Sequence, residues 1–184
     1  VNSDVLHIRG SAQVSVAGDV VLHVTRDALA YALDRSSGAL LWQRKLESNG
    51  SLVDVVHPPF VWKDLVLFSP YAGPLQAVAL TSGRPVWSQP VRTASRLVSA
   101  NTSQVWVATV DGEVVLLGAA TGEVVNRKSI RESVKDGGAQ KTGGVPLQLF
   151  TTESYLVVGL ASGILSVLDR DSLDTLWTYS VGKR

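Results

Sequence analysis

Apolar residues in this chain fall in short runs rich in Val, Leu and aromatic side chains, with small or polar residues alternating among them. Asp-Gly, Ala-Gly and Ser-Gly dipeptides and other turn formers separate the runs. None of the runs has the spacing of an amphipathic helix with capping residues at its ends. The pattern therefore predicts strands joined by tight turns. A first group of four reads AQVSVA, GDVVLHVT, RDALAYALD and LLWQRKL. A second reads PFVW, KDLVLFS, GPLQAVAL and PVWSQPV. The third is SRLVSA, SQVWVAT, DGEVVLLG and VVNRKSI, and the fourth VPLQLF, SYLVVGL, SGILSVLD and TLWTYSV.

The groups are copies of one unit. Aligned on their last turn they read ALDRSSGALLW, AVALTSGRPVW, LLGAATGEVVN and SVLDRDSLDTLW, ending at Trp42, Trp87, Asn126 and Trp177. A glycine stands at the same turn position in three copies, Gly38, Gly83 and Gly122; the fourth has Leu173. The copies are spaced by 45, 39 and 51 residues. Four short antiparallel strands repeated at such a period form the blades of a β-propeller. Within a unit, Asp34 can accept hydrogen bonds from the turn backbone, and so can Asp169 at the same place in the fourth copy. Gly38 suits a positive φ. The Trp offers a large surface that can wedge between neighbouring blades. One blade cannot cover both of its faces, so repetition closes the core.

ALDRSSGALLW, AVALTSGRPVW and DGEVVLLGAATGEVV resemble the blade motif of the pyrroloquinoline-quinone-type (PQQ-like) repeat propellers. The resemblance covers about residues 13–181. It departs from the motif at Asn126 and Leu173, which predicts a degenerate third wedge and a degenerate fourth turn. The fold expected is all-β, one domain of four blades at approximately 11–46, 52–91, 94–130 and 144–181, with an extra strand within 1–10. Propellers of this family resemble rings of seven or eight blades. Four blades are then half or a fragment of a larger ring, or half of a ring that a dimer completes, or a small ring or open arc. An arc would expose strand edges and an apolar face, so a non-monomeric state is expected.

Composition narrows the functional classes. The 184 residues are 45% hydrophobic and 18% charged, as in a folded globular chain. A net charge of +1 gives no general attraction to nucleic acid or anionic membrane. The basic stretch Arg127, Lys128, Arg131, Lys135 and Lys141 is interrupted by Glu132 and Asp136 and reads as a solvated face. The absence of Cys excludes disulfides, thiolate metal sites and a Cys nucleophile. The absence of Met implies a processed, trimmed or partial chain. No apolar run reaches the ~20 residues of a membrane-spanning helix.

Candidate chemistry is sparse. His7 and His23 lie in apolar alternation and read as strand-face residues. DVVHPPFVW leads from an interblade loop into an inner strand, and His57, Phe60 and Trp62 are the tentative binding residues. GGAQKTGG lacks the Gly that a phosphate loop needs before its Lys, and reads as a flexible link between blades three and four. DRDSLD lacks the ligand and Gly positions of a calcium loop. NGS at Asn49 and NTS at Asn101 match the glycosylation acceptor pattern, which Ser- and Thr-rich chains contain by chance.

The resemblance implies a quinone-dependent dehydrogenase only where an axial calcium, acidic and amide ligands and a vicinal Cys pair are present, and this chain has no Cys. Asp34, Gly38, Trp42, Gly83, Trp87, Gly122, Asp169 and Trp177 match the structural part of the motif. The reading is a non-catalytic interaction scaffold or sensor with protein partners, no cofactor and an extracytoplasmic location. Outer-membrane-assembly lipoproteins and lumenal sensor domains of kinases are built on such propellers. The lipoproteins carry an acylated N-terminal Cys, absent from this sequence, so that particular assignment has no support from these residues. The alternatives are a small-ligand-binding propeller and a fragment of a quinoprotein dehydrogenase.

Overall fold

The computed structural model describes residues 14–25, 28–48, 57–70, 73–130, 135–136, 139–140 and 144–180. Among them are four antiparallel sheets of four strands and no helix. The first sheet is β1 (Val14–Ala17), β2 (Val20–Val24), β3 (Leu29–Asp34) and β4 (Leu40–Lys45). The second is β5 (Phe60–Trp62), β6 (Leu65–Phe68), β7 (Leu75–Ala79) and β8 (Pro85–Gln89). The third is β9 (Val98–Ser99), β10 (Gln104–Ala108), β11 (Glu113–Gly118) and β12 (Val124–Ser129). A two-stranded pair, β13 (Lys135–Asp136) and β14 (Ala139–Gln140), follows. The fourth sheet is β15 (Pro146–Thr151), β16 (Tyr155–Leu160), β17 (Ile164–Asp169) and β18 (Thr175–Ser180). Each sheet is a meander in chain order, as expected for strands linked by tight turns.

The expectation of four four-stranded blades is met. The segment read as a flexible link, 137–144, differs in part: its Ala139–Gln140 (β14) pairs antiparallel with Lys135–Asp136 (β13) just ahead of it. The strand expected within residues 1–10, His7 and the Asn49 acceptor lie outside the described residues.

The chain divides into two compact units, 1–85 and 86–184, each with its own core. In the first, Leu22, Val24, Ala30, Ala32 and Trp42 of the first blade join Val66, Phe68 and Val78 of the second. In the second, Trp106, Ala108 and Val114 of the third blade join Leu149, Leu156, Val158 and Leu168 of the fourth. Strand pleating explains which residues take part. Val14 pairs with His23 and His23 with Tyr31, on one face of the first sheet, while Ser15, Leu22, Ala32 and Trp42 form a cross-strand row on the other. In the first unit a buried Gln76 also ties the loop after β4, its amide exchanging hydrogen bonds with the Glu47 N–H at 3.0 Å and C=O at 2.9 Å.

Candidate functional site

The contact between successive blades is built from a Trp and a turn glycine. Trp42 opposes Ala32 beside a bulge at Ala32/Leu33. Its ring lies on Gly83 so closely that a Cβ on Gly83 would come within 2.7 Å of it. Its indole N–H donates to the Leu80 carbonyl at 2.7 Å. Trp87 repeats the arrangement: a Cβ on Gly122 would be 2.6 Å from its ring, and its N–H donates to the Ala119 carbonyl at 3.1 Å. Both glycines are left-handed, with φ of 64° and 71°. Glycine thus meets two demands here, a positive φ and a bare face for the ring.

The turn itself is held by its carboxylate. Asp34 Oδ1 accepts the hydroxyls of Ser36 and Ser37 at 2.6 and 2.7 Å and their backbone N–H groups at 3.1 and 2.8 Å. Chiefly because of the Ser36 hydroxyl, then that of Ser37, the carboxyl is held down to about 2 from 3.8. Asp169 accepts the Ser172 and Asp171 N–H groups at 2.9 and 3.0 Å, and the first of these bonds leads in holding its carboxyl below the usual range. A depressed carboxylate pKa stabilises the turn above pH about 3.8, and that contribution is lost as pH falls through about 2. Carboxyl-carbon NMR titration should place Asp34 near 2, rising toward 3.8 in a Ser36→Ala/Ser37→Ala variant. An unchanged value in the variant would rule out the hydroxyls as the cause.

The fourth turn corrects an expectation. Leu173 does not degrade the turn: it takes φ of 60°, and its N–H donates to the Asp169 carbonyl at 2.9 Å, as Gly38 does to Asp34 at 2.8 Å. Its side chain is buried in the core shared by the third and fourth blades. Leu173 stands at the turn position that Gly83 and Gly122 hold against Trp42 and Trp87, and Asn126 stands at the Trp position one blade earlier. By repeat position the two departures complement each other in size, a bulky residue at the turn where the strand carries Asn126 in place of Trp. The aromatic is kept elsewhere in the same row: Val98, Trp106, Leu116 and Asn126 pair across the third sheet, and Trp106 is fully buried.

Trp177 occupies the Trp position of the fourth blade and is 51% exposed. Gly38 is exposed, with nothing among the described residues within 4 Å of where its Cβ would be. Around Trp177, Tyr155, Val157, Leu165, Val167 and Leu176 line an open groove of about 570 Å³. This is an apolar surface of the kind that meets other proteins.

The tentative binding residues lie in the first unit. Phe60 and Trp62 alternate with Val61 along β5, so they share one face, while Val61 packs on the blade core. Lys63, left-handed at φ 51°, places its ammonium 4.4 Å from the Trp62 ring centroid. His57 is half-buried just ahead of β5. The basic stretch is in part ion-paired, Arg127 with Glu113 at 3.6 Å and Lys128 with Asp174 at 3.5 Å. Asn101 uses its amide within its own turn, accepting from Ser103 N–H at 2.8 Å. No group of three or more His, Asp or Glu among the described residues could hold a metal ion.

These blades define a class, the PQQ-type repeat propellers. A sequence model of the family described as outer membrane protein assembly factor BamB matches residues 1–128. The chain belongs to that family. BamB of Taylorella asinigenitalis is 25% identical over 186 residues, covering 97% of this chain and 46% of that protein. BamB of Marinobacter adhaerens is 33% identical over 122 residues, 65% of this chain and 28% of that protein. The chain thus spans less than half the length of these curated relatives. The crystal structure of BamB from Moraxella catarrhalis superposes with a TM-score of 0.73 at 20% identity, over 95% of this chain and 53% of that one. A europium-containing methanol dehydrogenase superposes at 0.71 with 14% identity, over 93% of this chain and 41% of that one, which shows a shared fold.

Proposed function

We propose that the chain is a non-catalytic scaffold that engages protein partners during outer membrane protein assembly, in an extracytoplasmic compartment. The family match over residues 1–128 carries this reading. The use of the motif residues supports it: Asp34 and Asp169 are spent on turn backbone, and Trp42 and Trp87 on neighbouring turns. A scaffold needs rigid blades and displayed loops, and such side chains supply the rigidity.

Site-specific photo-crosslinking in the periplasm of a Gram-negative host, with mass spectrometry of the products, tests the reading. Crosslinks from loop residues such as Ser162 to outer membrane assembly proteins are expected. Quinone-dependent dye reduction by the purified chain after addition of the quinone and calcium would instead establish a dehydrogenase and overturn the scaffold.

A further inference from the structure

The joint between the third and fourth blades is built differently from the two Trp joints. In those, the Trp42 and Trp87 rings lie on Gly83 and Gly122, and each indole N–H donates to the carbonyl three residues before the glycine, Leu80 or Ala119. At the third joint Asn126 holds the Trp position, and its side-chain oxygen turns back to accept the Arg127 N–H at 2.8 Å on its own strand. Leu173 holds the glycine position at φ 60° and is buried in one cluster with Trp106, Leu149 and Leu168.

Lys128, two residues beyond Asn126 and on the same side of β12, pairs with Asp174, next to Leu173, at 3.5 Å. The pair runs from β12 to the fourth turn and so sets the Asn126 side of the strand against that turn; lying at the surface, it contributes little by itself. Arg170 takes the place of Leu80 and Ala119. Its guanidinium is used inside its own blade, donating to the Thr152 and Glu153 carbonyls at 2.9 and 3.1 Å.

Size decides which strand fits which turn. A Cβ at the glycine of a Trp joint falls within 2.7 Å of the ring, so a turn carrying Leu173 has no room for Trp42 or Trp87. Asn126 set over Gly83 or Gly122 would leave a void where the ring belongs. On the second turn Lys128 would also meet Arg84 in place of Asp174.

We propose that Asn126 and Leu173 are selectivity residues for blade pairing: the fourth turn accepts the strand of the third blade and rejects one that bears Trp. Repeats of similar build are prone to mispairing, and one joint of different shape fixes which blades are neighbours. The inference stands on blade geometry and does not depend on the assembly-factor reading.

Urea unfolding of the 184-residue chain, followed by circular dichroism, compares the parent with Asn126→Trp, Leu173→Gly and the double variant. Each single substitution mismatches the joint, by an overpacked ring or by a void, and should lower the midpoint by about 1 M. The double variant should recover most of that loss, because Trp on Gly is the joint already used twice in the chain. Its added indole N–H should exchange slowly with deuterium, held by the Arg170 carbonyl, whereas that of Asn126→Trp alone should exchange fast. Refolded at high concentration, the double variant should give several-fold more mis-associated material than the parent, since its three joints are then alike. Additive losses in the double variant, fast exchange of its added indole, or equal refolding yields would overturn the proposal.

Discussion

Gly83→Ala is expected to destabilise the first unit by about 2–5 kcal/mol, and Gly38→Ala by only about 1 kcal/mol. Both positions are left-handed, at φ 64° and 71°, so backbone strain on adding a Cβ is common to the two. The difference is the neighbour. A Cβ on Gly83 would meet the Trp42 ring at 2.7 Å, while that on Gly38 meets nothing within 4 Å among the described residues. The Trp42 ring cannot yield cheaply, since it is 8% exposed and its N–H is tied to Leu80. Denaturant midpoints of the two variants and the parent check the pair. Equal losses would mean that the glycine serves backbone conformation alone.

Trp106→Ala should be among the most damaging single substitutions in the second unit, costing about 3–5 kcal/mol. The side chain is 1% exposed within a core that includes Leu149, Leu156 and Leu173. Truncation leaves a void bounded by two blades that cannot both close on it. Trp106→Phe should cost less than about 1.5 kcal/mol. The reason is polar: its indole N–H is buried without an acceptor among the described residues, so Phe removes an unsatisfied donor. Thermal or chemical unfolding of the two variants decides the matter. A loss for Phe as large as that for Ala would show that the N–H has a partner.

How much of this could be read in advance depends on the distance between partners in the repeat. Strands, turns and blade number were legible, because alternation and turn chemistry are local. Asp34 with its Ser-Ser-Gly turn is an example, since the groups its carboxylate binds all lie within three residues of it. The meaning of Asn126 and Leu173 was not legible from the aligned copies. Alignment compares equivalent places in different blades, whereas the Trp of one blade meets the turn of the next. Trp106 was hidden for a similar reason: it keeps an aromatic in the row, but on β10 and not on the fourth strand. The hairpin of β13 and β14 lies in a Gly-rich stretch with no alternation to announce it.

The open face of the fourth blade was legible only in part. Trp177 was identified as a motif residue, but its exposure of 51% depends on what packs over the sheet, which a motif does not express. A propeller scaffold and a dehydrogenase share these sheets, so fold cannot separate them.

Trp42–Gly83 and Trp87–Gly122 are one contact repeated, and Asn126 and Leu173 stand at its two positions in the next pair of blades. A double-mutant cycle on Trp42→Asn and Gly83→Leu tests this most directly, with unfolding free energies measured for the parent, both single variants and the double. The ring that Leu would strike is gone in the Trp42→Asn background, so Gly83→Leu should cost at least about 2 kcal/mol less there than in the parent. Additive losses from the two substitutions would contradict the claim.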